Sequence, residues 1–387
     1  MTVVSTDRTL LTHRQRELAE LQRRQGRAGL SPVDAAELGA LHDALPETAT
    51  GTDQVTRLLT RSLSLDLPIP EYYRYTCMHA YGWFLDLFPD DPVAGALLGL
   101  HTTLTDLLEV EREARDAGVR QECADERIKR LDDLLLTVRG TVVGPLFRAG
   151  IGDLVDRAAL DPELARRTGL LAESSRFPRS GRPEEHVFLR SVQSCELLFF
   201  LLRRLAVEVV AAQEEFPARA ATRLELAVTC ARLLRGVFHM LLTLTPAGFM
   251  TFREATGAAS AVQSLNYHAM EISIYGYDPR KEAVFDSIGH LGVLNSPEIR
   301  DHQPLSAALA DTTDPRLSAD WHELDRVLSK WRGAHYRFAR TYLPADKPAS
   351  GGTDGAAYVK RFIKKDACVA GADPFSGLPL LSGFLYH

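Results

Sequence analysis

The chain has 387 residues, of which 45% are hydrophobic and 25% are charged, and its formal net charge is −6 at pH 7. A chain of this length can bury a large core without disulfides or a structural metal. Charges of both signs are interspersed, without the basic stripe of a nucleic-acid-binding protein, and no apolar run approaches the roughly 18 residues of a membrane span. We expect a soluble monomer or dimer that binds neither nucleic acid nor a membrane.

The cysteines and the N-terminal segment indicate the cellular compartment. The five cysteines include no CxxC pair and form no disulfide framework; they are Cys77, Cys123, Cys195, Cys230 and Cys368. The N-terminal segment lacks the charged start, the apolar run and the small-residue cleavage site of a secretory signal peptide. The sequence therefore predicts a cytoplasmic protein.

Helical patterns dominate the first half of the chain. Residues 12–25 have helically spaced leucines, and Ser31 and Pro32 form a helix start with a capping serine. The aromatic segment 71–88 is predicted to be one helix, and 97–111 and 125–138 continue the helical period. Serine, glycine, proline and arginine at 174–183 suit a linker. We therefore predict an N-terminal helical domain, 1–180, that packs on a second domain, 181–387.

The second half also consists of predicted helices. They cover 184–212 and 223–244, with a further helix inside 257–275 and at least one inside 315–342. Few alternating β-branched runs occur anywhere in the chain, so the predicted fold class is all-α. Four helices around a central cavity is the arrangement in which bundles hold cofactors.

One cation stands on an otherwise apolar helical segment. Thr245 is expected to cap a helix that opens at Pro246, placing Phe249, Phe252 and Arg253 in about its first two turns. Arginine in such a setting commonly grips a carboxylate through two hydrogen bonds. The alternative for Arg253 is an internal ion pair with a residue such as Glu254 or Glu271.

Four sequence blocks occur in an order that resembles one protein superfamily. They are PEEHVFLRSVQSCEL at 183–197, LTPAGFMTFREATGAASAVQSLNYHAMEI at 244–272, WRGAHYRF at 331–338 and SGGTDGAAYV at 350–359. Together they resemble the tryptophan 2,3-dioxygenase superfamily over roughly residues 183–365. The resemblance implies a helical-bundle haem domain that binds haem b and uses O2 or H2O2 to oxidise an aromatic amino acid.

The sequence departs from true tryptophan dioxygenases at several points. Val192 stands where those enzymes carry a distal histidine, the spacer between Glu271 and Trp331 is short, and about 180 residues precede the first block. With the Ser191-Val192 pair, this layout looks more like the monodechloroaminopyrrolnitrin synthase family. That similarity implies a role in natural-product biosynthesis.

The resemblance also implies how a haem would be held. His335 would bind the iron, with Trp331 one helical turn earlier on the same face. Arg337 is a candidate partner of a propionate, or else a solvated arginine. The small residues 258–261, which include Ser260, would let a flat macrocycle approach the backbone, or would serve close helix packing. Covalent attachment through Cys368 is disfavoured because Lys364, not histidine, stands four residues earlier.

The remaining candidates belong to the substrate. Arg253 would bind its carboxylate and the glycine-rich loop residues Ser350 and Thr353 its ammonium group, while its ring would lie against Phe188, Val192 and Phe249. Ser191 and Ser350 are the candidate catalytic residues because they are polar groups near the expected oxidant. His186 should face elsewhere, and His268 is expected to be a core residue.

These features predict a haem-dependent oxidoreductase acting on tryptophan or a modified tryptophan. Ordinary cleavage to N-formylkynurenine is less favoured because Val192 cannot act as a base. Two alternatives stay open: a peroxygenase-like haem tyrosine hydroxylase, and a haem-binding sensor or carrier without catalysis, in which Arg253 would pair internally.

Overall fold

The computed structural model describes residues 11–64, 70–118, 123–143, 150–342, 356–363 and 365. Every regular element in these ranges is a helix. The predicted all-α class is therefore confirmed for the described part of the chain.

Nine α-helices precede residue 180. They are α1 His13–Gln25, α2 Pro32–Asp43, α3 Gly51–Thr60, α4 Glu71–Thr76, α5 Met78–Leu85, α6 Pro92–Asp116, α7 Ala124–Arg139, α8 Ile151–Leu160 and α9 Pro162–Ser174 among the described residues. The helix starts follow the sequence signals. Thr12 caps α1 in a reciprocal capping box with Gln15, and Ser31 caps α2 ahead of Pro32. Both of these helix starts are confirmed.

Nine more α-helices follow in the described ranges. They are α10 Pro183–Ala212, α11 Pro217–Leu241, α12 Pro246–Met250, α13 Leu265–Tyr275, α14 Glu282–Ser287, α15 Pro297–Arg300, α16 Leu305–Ala308, α17 Pro315–Tyr342 and α18 Ala356–Arg361. Short 3-10 helices lie between some of them, at Arg27–Gly29, Arg61–Leu63, Ala261–Gln263, Pro279–Lys281 and Gly289–Asn295.

The prediction of one helix over 71–88 is wrong. Cys77 adopts a left-handed conformation, with φ 52°, and separates α4 from α5. A residue with a β-carbon is disfavoured there by roughly 1–2 kcal/mol, so packing must compensate. The Cys77 side chain is fully buried against Phe177 in a small apolar cluster, which fixes the break.

The helix at Pro246 is also shorter than predicted. Thr245 accepts a hydrogen bond from the Gly248 backbone N–H, as a capping residue should, but α12 ends at Met250. Phe252 and Arg253 therefore lie in the turns that follow the helix. These turns hold both side chains beside α10 and α17 without continuing the helical axis.

The fold is organised around α10. This helix packs against α6 from the first half of the chain and against α11 and α13 from the second, while α11 also packs against α17. One continuous hydrophobic core contains Phe84 and Leu104 together with Leu201, Leu234 and Leu328. Residues on both sides of position 180 therefore share a core.

The segment between α9 and α10 is packed against the first half of the chain. Phe177 is fully buried, the Arg27 backbone N–H donates to the Pro178 carbonyl, and Arg179 pairs with Glu71. Its glycine and proline residues thus shape a packed connection.

Among the described helices, α6 is long and apolar enough by length and composition to cross a membrane. Its most apolar window is 72% buried inside the protein. The apolar surface of α6 is thus used for packing in the core.

The shared core generates a prediction about truncation. A chain beginning at Gly181 would lack α6 and α7, so the apolar faces of α10 and α11 that pack on them would be exposed. We expect this fragment to be aggregated, or to unfold without a cooperative transition, when soluble yield and thermal denaturation are measured. A chain beginning at Leu11 retains every described helix and is the control. A soluble, cooperatively unfolding fragment would show that the first half is an independent unit.

Candidate functional site

All of the described candidate residues except Arg337 surround one cavity. It has a volume of about 220 Å³, and its wall is mainly apolar and aromatic. Apolar walls with a few polar groups are typical of small-molecule sites. The wall is formed by α4, α10, α11, α13, α17 and α18, with the turns after α12.

The structure brings together most of the residues that the sequence singles out. The residues that line the cavity are Phe188, Ser191, Val192, Phe249, Arg253, Ser260, Trp331 and His335. Arg337 does not line it, because its side chain is exposed on the outer face of α17. Ser350, Thr353 and Cys368 lie outside the described residues.

His335 presents a neutral imidazole to the cavity. Burial lowers the pKa of His335 to about 4, and the opposing effect of Glu271 is smaller. The ring packs on Phe238, at 5.4 Å between centroids, and on Trp331, at 5.8 Å. No described residue hydrogen-bonds to the His335 ring. A neutral ring nitrogen in this position has a lone pair available for a ligand or a metal ion.

Arg253 presents a cation to the same cavity. Its Nη1 donates to Thr256 Oγ1 at 3.3 Å, and the Thr256 hydroxyl in turn donates to the Arg253 carbonyl at 2.8 Å. No carboxylate in the described ranges pairs with Arg253, so the alternative of an ion pair with Glu254 or Glu271 is not formed. Burial lowers the pKa of Arg253, yet arginine stays charged in proteins. The guanidinium can therefore receive an external anion.

Aromatic rings form the wall beside Arg253. Phe188 contacts Phe249 at 5.5 Å and Phe252 at 5.6 Å between centroids, and Phe249 contacts Phe338 at 6.1 Å. Edge-to-face packing of this kind fixes the rings relative to each other. The result is an apolar surface against which a planar ligand can lie.

The candidate catalytic residue Ser191 is less free than its position indicates. Its hydroxyl donates to the Val187 carbonyl at 2.7 Å within α10. The hydrogen is thus committed to the helix backbone, and Ser191 offers the cavity a lone pair. Next to it, Val192 offers no polar atom.

Several residues of the cavity wall were not predicted from the sequence. Tyr72 and Tyr75 of α4, from the first half of the chain, line the cavity, as do Tyr267 of α13 and Tyr358 of α18. The two tyrosines of α4 are three residues apart and share one helix face. Their signal in the sequence was the aromatic run EYYRY, but nothing local connects that run to a cavity more than 100 residues away along the chain.

A buried charge cluster adjoins one end of the cavity. Glu271 lies 3.6 Å from Lys281 and 3.6 Å from Arg332, and it also contacts Lys365. Burial raises the pKa of Glu271, but the three cations outweigh this effect and hold it at about 2. Burial lowers the pKa of Lys281 to about 7. Arg332 also lines the cavity, so this end presents a guanidinium group to it.

The same arginine holds the last described helix in place. Arg332 Nε donates to the Ile363 carbonyl at 2.9 Å, and Arg280 donates to the Arg361 carbonyl at 3.1 Å. Phe362 then closes this side of the cavity, with Lys281 over its ring at 5.1 Å. Arg332 therefore belongs to the buried charge cluster and also holds the chain after α18 against the cavity.

The other histidines named in the sequence lie off the cavity. His186 is buried beside Asp106, with 3.5 Å between Nε2 and Oδ2, and His268 is buried between the Val262 carbonyl and Lys281. The predictions that His186 faces elsewhere and that His268 is a core residue are confirmed.

The fold and the site define a protein that is all-α in its described part, with an aromatic cavity whose described lining includes the neutral imidazole of His335 and the guanidinium groups of Arg253 and Arg332. Among the described residues, no three His, Cys, Asp or Glu side chains are grouped so as to hold a metal ion. Comparison with protein-family models and with curated proteins finds no match for this chain.

The neutral state of His335 makes stability depend on pH. The ring binds a proton near pH 6.5 in the unfolded chain but only near pH 4 in the folded one. Between these values the unfolded state binds more protons, so folding stability falls as the pH is lowered. When the pH is lowered from 7 to 5, the free energy of unfolding of the wild type should fall. In urea titrations we expect that of His335→Phe to fall by on the order of 1–2 kcal/mol less.

The control for this experiment is His13→Phe, at a histidine whose side chain is 82% exposed. It should lose as much stability as the wild type. If His335→Phe also matches the wild type, the His335 ring is not held neutral by the fold.

Proposed function

We propose that the protein is a haem-dependent oxidoreductase that acts on an aromatic amino acid, tryptophan or a modified tryptophan. One observation carries this proposal: a neutral imidazole, His335, and a cation without a carboxylate partner among the described residues, Arg253, open onto the same aromatic cavity. An iron ligand and an anchor for an amino-acid carboxylate are the two polar functions that such an enzyme needs beside its apolar pocket.

The residues present fit a haem. A porphyrin supplies four nitrogen ligands, so the single imidazole of His335 suffices as a protein ligand. Ala259, Ser260 and Ala261 line the cavity with small side chains, which leaves room for a flat macrocycle. Arg332 lines the cavity with a buried positive charge suited to acidic substituents. When bound, haem supplies the oxidising chemistry with O2 or H2O2.

The residues on the other wall fit an aromatic amino acid. Arg253 would bind the carboxylate, and Phe188, Val192 and Phe249 would hold the ring and exclude water from it. Ser350 and Thr353 stay the predicted partners of the ammonium group. Because Val192 has no basic atom and the Ser191 hydrogen is committed to Val187, cleavage assisted by a base on this face is not favoured.

Tyrosine hydroxylation is the second candidate function. The hydroxyl-bearing residues Tyr72, Tyr75 and Thr256 line the cavity, and hydroxyl groups can bind the phenol of a substrate. The sensor or carrier alternative required Arg253 to be paired internally, and the described contacts of Arg253 do not favour it. A biosynthetic role rests on the sequence resemblance.

The haem proposal predicts the effect of removing His335. We expect the purified protein to bind one b-type haem per chain, extractable by acidified organic solvent, and His335→Ala to lose haem or its native Soret spectrum because the nitrogen that would bind the iron is gone. Added imidazole should partly restore the spectrum. His322→Ala, an exposed histidine on the same helix, is the matched control. Full haem content with an unchanged spectrum in His335→Ala would exclude this ligand.

The substrate proposal predicts the effect of removing Arg253. Loss of a charge-assisted carboxylate contact costs about 2–4 kcal/mol, so Arg253→Leu should weaken amino-acid binding roughly 30- to 1000-fold while haem stays bound. Binding is measured by ligand-induced shifts of the Soret band with tryptophan, tyrosine and their substituted forms.

Two comparisons control the Arg253 experiment. Arg326→Leu, at a half-exposed position on α17, should bind amino acids as the wild type does. Amines that lack the carboxylate should bind the wild type poorly. If they bind as tightly as the amino acids, Arg253 does not hold a carboxylate.

A further inference from the structure

A second buried glutamate lies behind the cavity wall, in an environment opposite to that of Glu271. Glu196 of α10 is fully buried and lies 2.6 Å from the Tyr72 hydroxyl, 3.0 Å from the Asn266 side-chain nitrogen, and in contact with the Ser264 hydroxyl. No Arg, Lys or His among the described residues pairs with it. Burial raises the pKa of Glu196, against the weaker lowering effect of its hydrogen bonds.

The side chains of Glu196 and Glu271 therefore differ in their favoured protonation state. Glu271 is held ionised by three cations, whereas Glu196 has only neutral partners and is favoured as a carboxylic acid. Pairs of carboxyl groups whose surroundings drive their pKa values apart are typical of sites that divide acid and base roles. Glu196 is the group of the pair that can release a proton.

Tyr72 connects Glu196 to the cavity. The Tyr72 ring is part of the cavity wall, and its hydroxyl is the one group that joins that wall to Glu196 through a described hydrogen bond. Burial raises the pKa of Tyr72, and Glu196 adds to this effect, so the phenol stays protonated. A protonated phenol next to a carboxylic acid can donate its proton and be reprotonated by the acid, so that the phenol ends neutral.

The cavity otherwise offers few proton donors on this side. The Ser191 hydrogen is bonded to the Val187 carbonyl, and Val192 is apolar. A reaction that adds electrons to an oxidant also needs protons. We propose that Glu196 and Tyr72 form the proton-supplying pair of this cavity, with Tyr72 as the donor to the bound ligand and Glu196 as the acid behind it.

The proton transfer balances within the pair. In the structure the Tyr72 hydroxyl donates to Glu196 Oε1. For delivery, the Tyr72 hydroxyl turns towards the ligand and the Glu196 carboxyl group donates to the Tyr72 oxygen. The Glu196 proton then moves to that oxygen while the Tyr72 proton moves to an oxygen atom of the ligand. Tyr72 ends neutral, and Glu196 ends as a carboxylate that still accepts hydrogen bonds from Ser264 and Asn266. Water that enters through the open mouth of the cavity returns a proton by the reverse path. The inference rests on the proposed function, because a bound oxidant is the proton acceptor.

Tyr75 and Glu185 are the competing pair. Tyr75 also lines the cavity and its hydroxyl interacts with Glu185, but the Glu185 oxygens are already engaged, since they accept from the Arg179 and Ser180 backbone N–H groups and from the Ser180 hydroxyl. Glu185 thus stabilises the turn ahead of α10. This difference assigns the role to Tyr72 and Glu196.

The first measurement needs no cofactor. Infrared difference spectra of the full-length chain at pH 7 should contain the C=O band of a protonated carboxyl group that Glu196→Gln removes. Tyr72→Phe should shift this band, because the phenol hydrogen bond is lost. Tyr81→Phe is the matched control, since Tyr81 is a buried tyrosine bonded to Thr103 and does not line the cavity. If Glu196→Gln removes no such band, Glu196 is ionised and the proposal is overturned.

The second measurement uses the ferric haem-loaded protein and fluoride, an anionic ligand that is sensitive to hydrogen-bond donors. Tyr72→Phe should weaken fluoride binding about 10- to 100-fold, and Tyr81→Phe should not change it. Glu196→Gln keeps a donor behind Tyr72, so fluoride should bind within a few-fold of the wild type while turnover of the amino acid falls about 100-fold at unchanged KM.

The outcomes separate this inference from the function on which it rests. If the chain binds no haem, the proposed function and the proton transfer from Tyr72 to a bound ligand are both contradicted. The infrared band still reports whether Glu196 is protonated. If haem binds normally but Tyr72→Phe leaves fluoride affinity and turnover unchanged, the relay is wrong and the haem proposal stands. If Tyr75→Phe alone weakens fluoride binding, the assignment to Tyr72 is overturned.

Discussion

Burial of α10 on nearly every side is the constraint that shapes the rest of the protein. A charged group removed from water costs several kcal/mol unless it finds partners, so each polar side chain on this helix needs a specific neighbour. Arg190 meets Asp106 of α6 at 2.6 Å, Glu185 meets the turn before the helix, and Glu196 meets Tyr72 of α4. These contacts fix the rotation of α10 about its axis, which decides the residues that face the cavity: Phe188, Ser191, Val192, Cys195 and Phe199.

Polar contacts also divide the cavity into two electrostatic regions. Near α17 Glu271 is surrounded by three cations, two of which also approach Asp325 and Asp278, whereas behind α10 the described partners of Glu196 are all neutral. Low dielectric inside the protein makes both effects stronger than they would be in water. An anionic group is thus favoured at the Arg332 end, and a neutral acid is favoured behind Tyr72.

Local signals explain the parts of the structure that the sequence predicted. The caps at Ser31 and Thr245 depend on a few neighbouring residues, and the long helices follow from apolar periodicity. The cavity residues of α10 and α17 could be named from the sequence resemblance, and helix spacing added that Trp331 and His335 share one helix face. The break at Cys77 could not be predicted, because its cause is packing against Phe177, 100 positions along the chain. The exposed position of the Arg337 side chain also could not be predicted, since helix spacing alone does not show which face is exposed.

The contribution of the first half of the chain to the cavity also depends on contacts that are distant along the chain. The resemblance begins near residue 183, so it can suggest a ligand such as His335 but is silent on α4. Yet α4 supplies Tyr72, whose hydroxyl is bonded to the glutamate behind the wall, and the adjacent Tyr73 hydroxyl accepts from the Leu265 backbone N–H. A segment that satisfies buried polar groups on α10 and α13 cannot be removed without leaving them unpaired. The first half therefore serves both the stability of the wall and its polarity, and any chemistry in the cavity depends on residues from both halves.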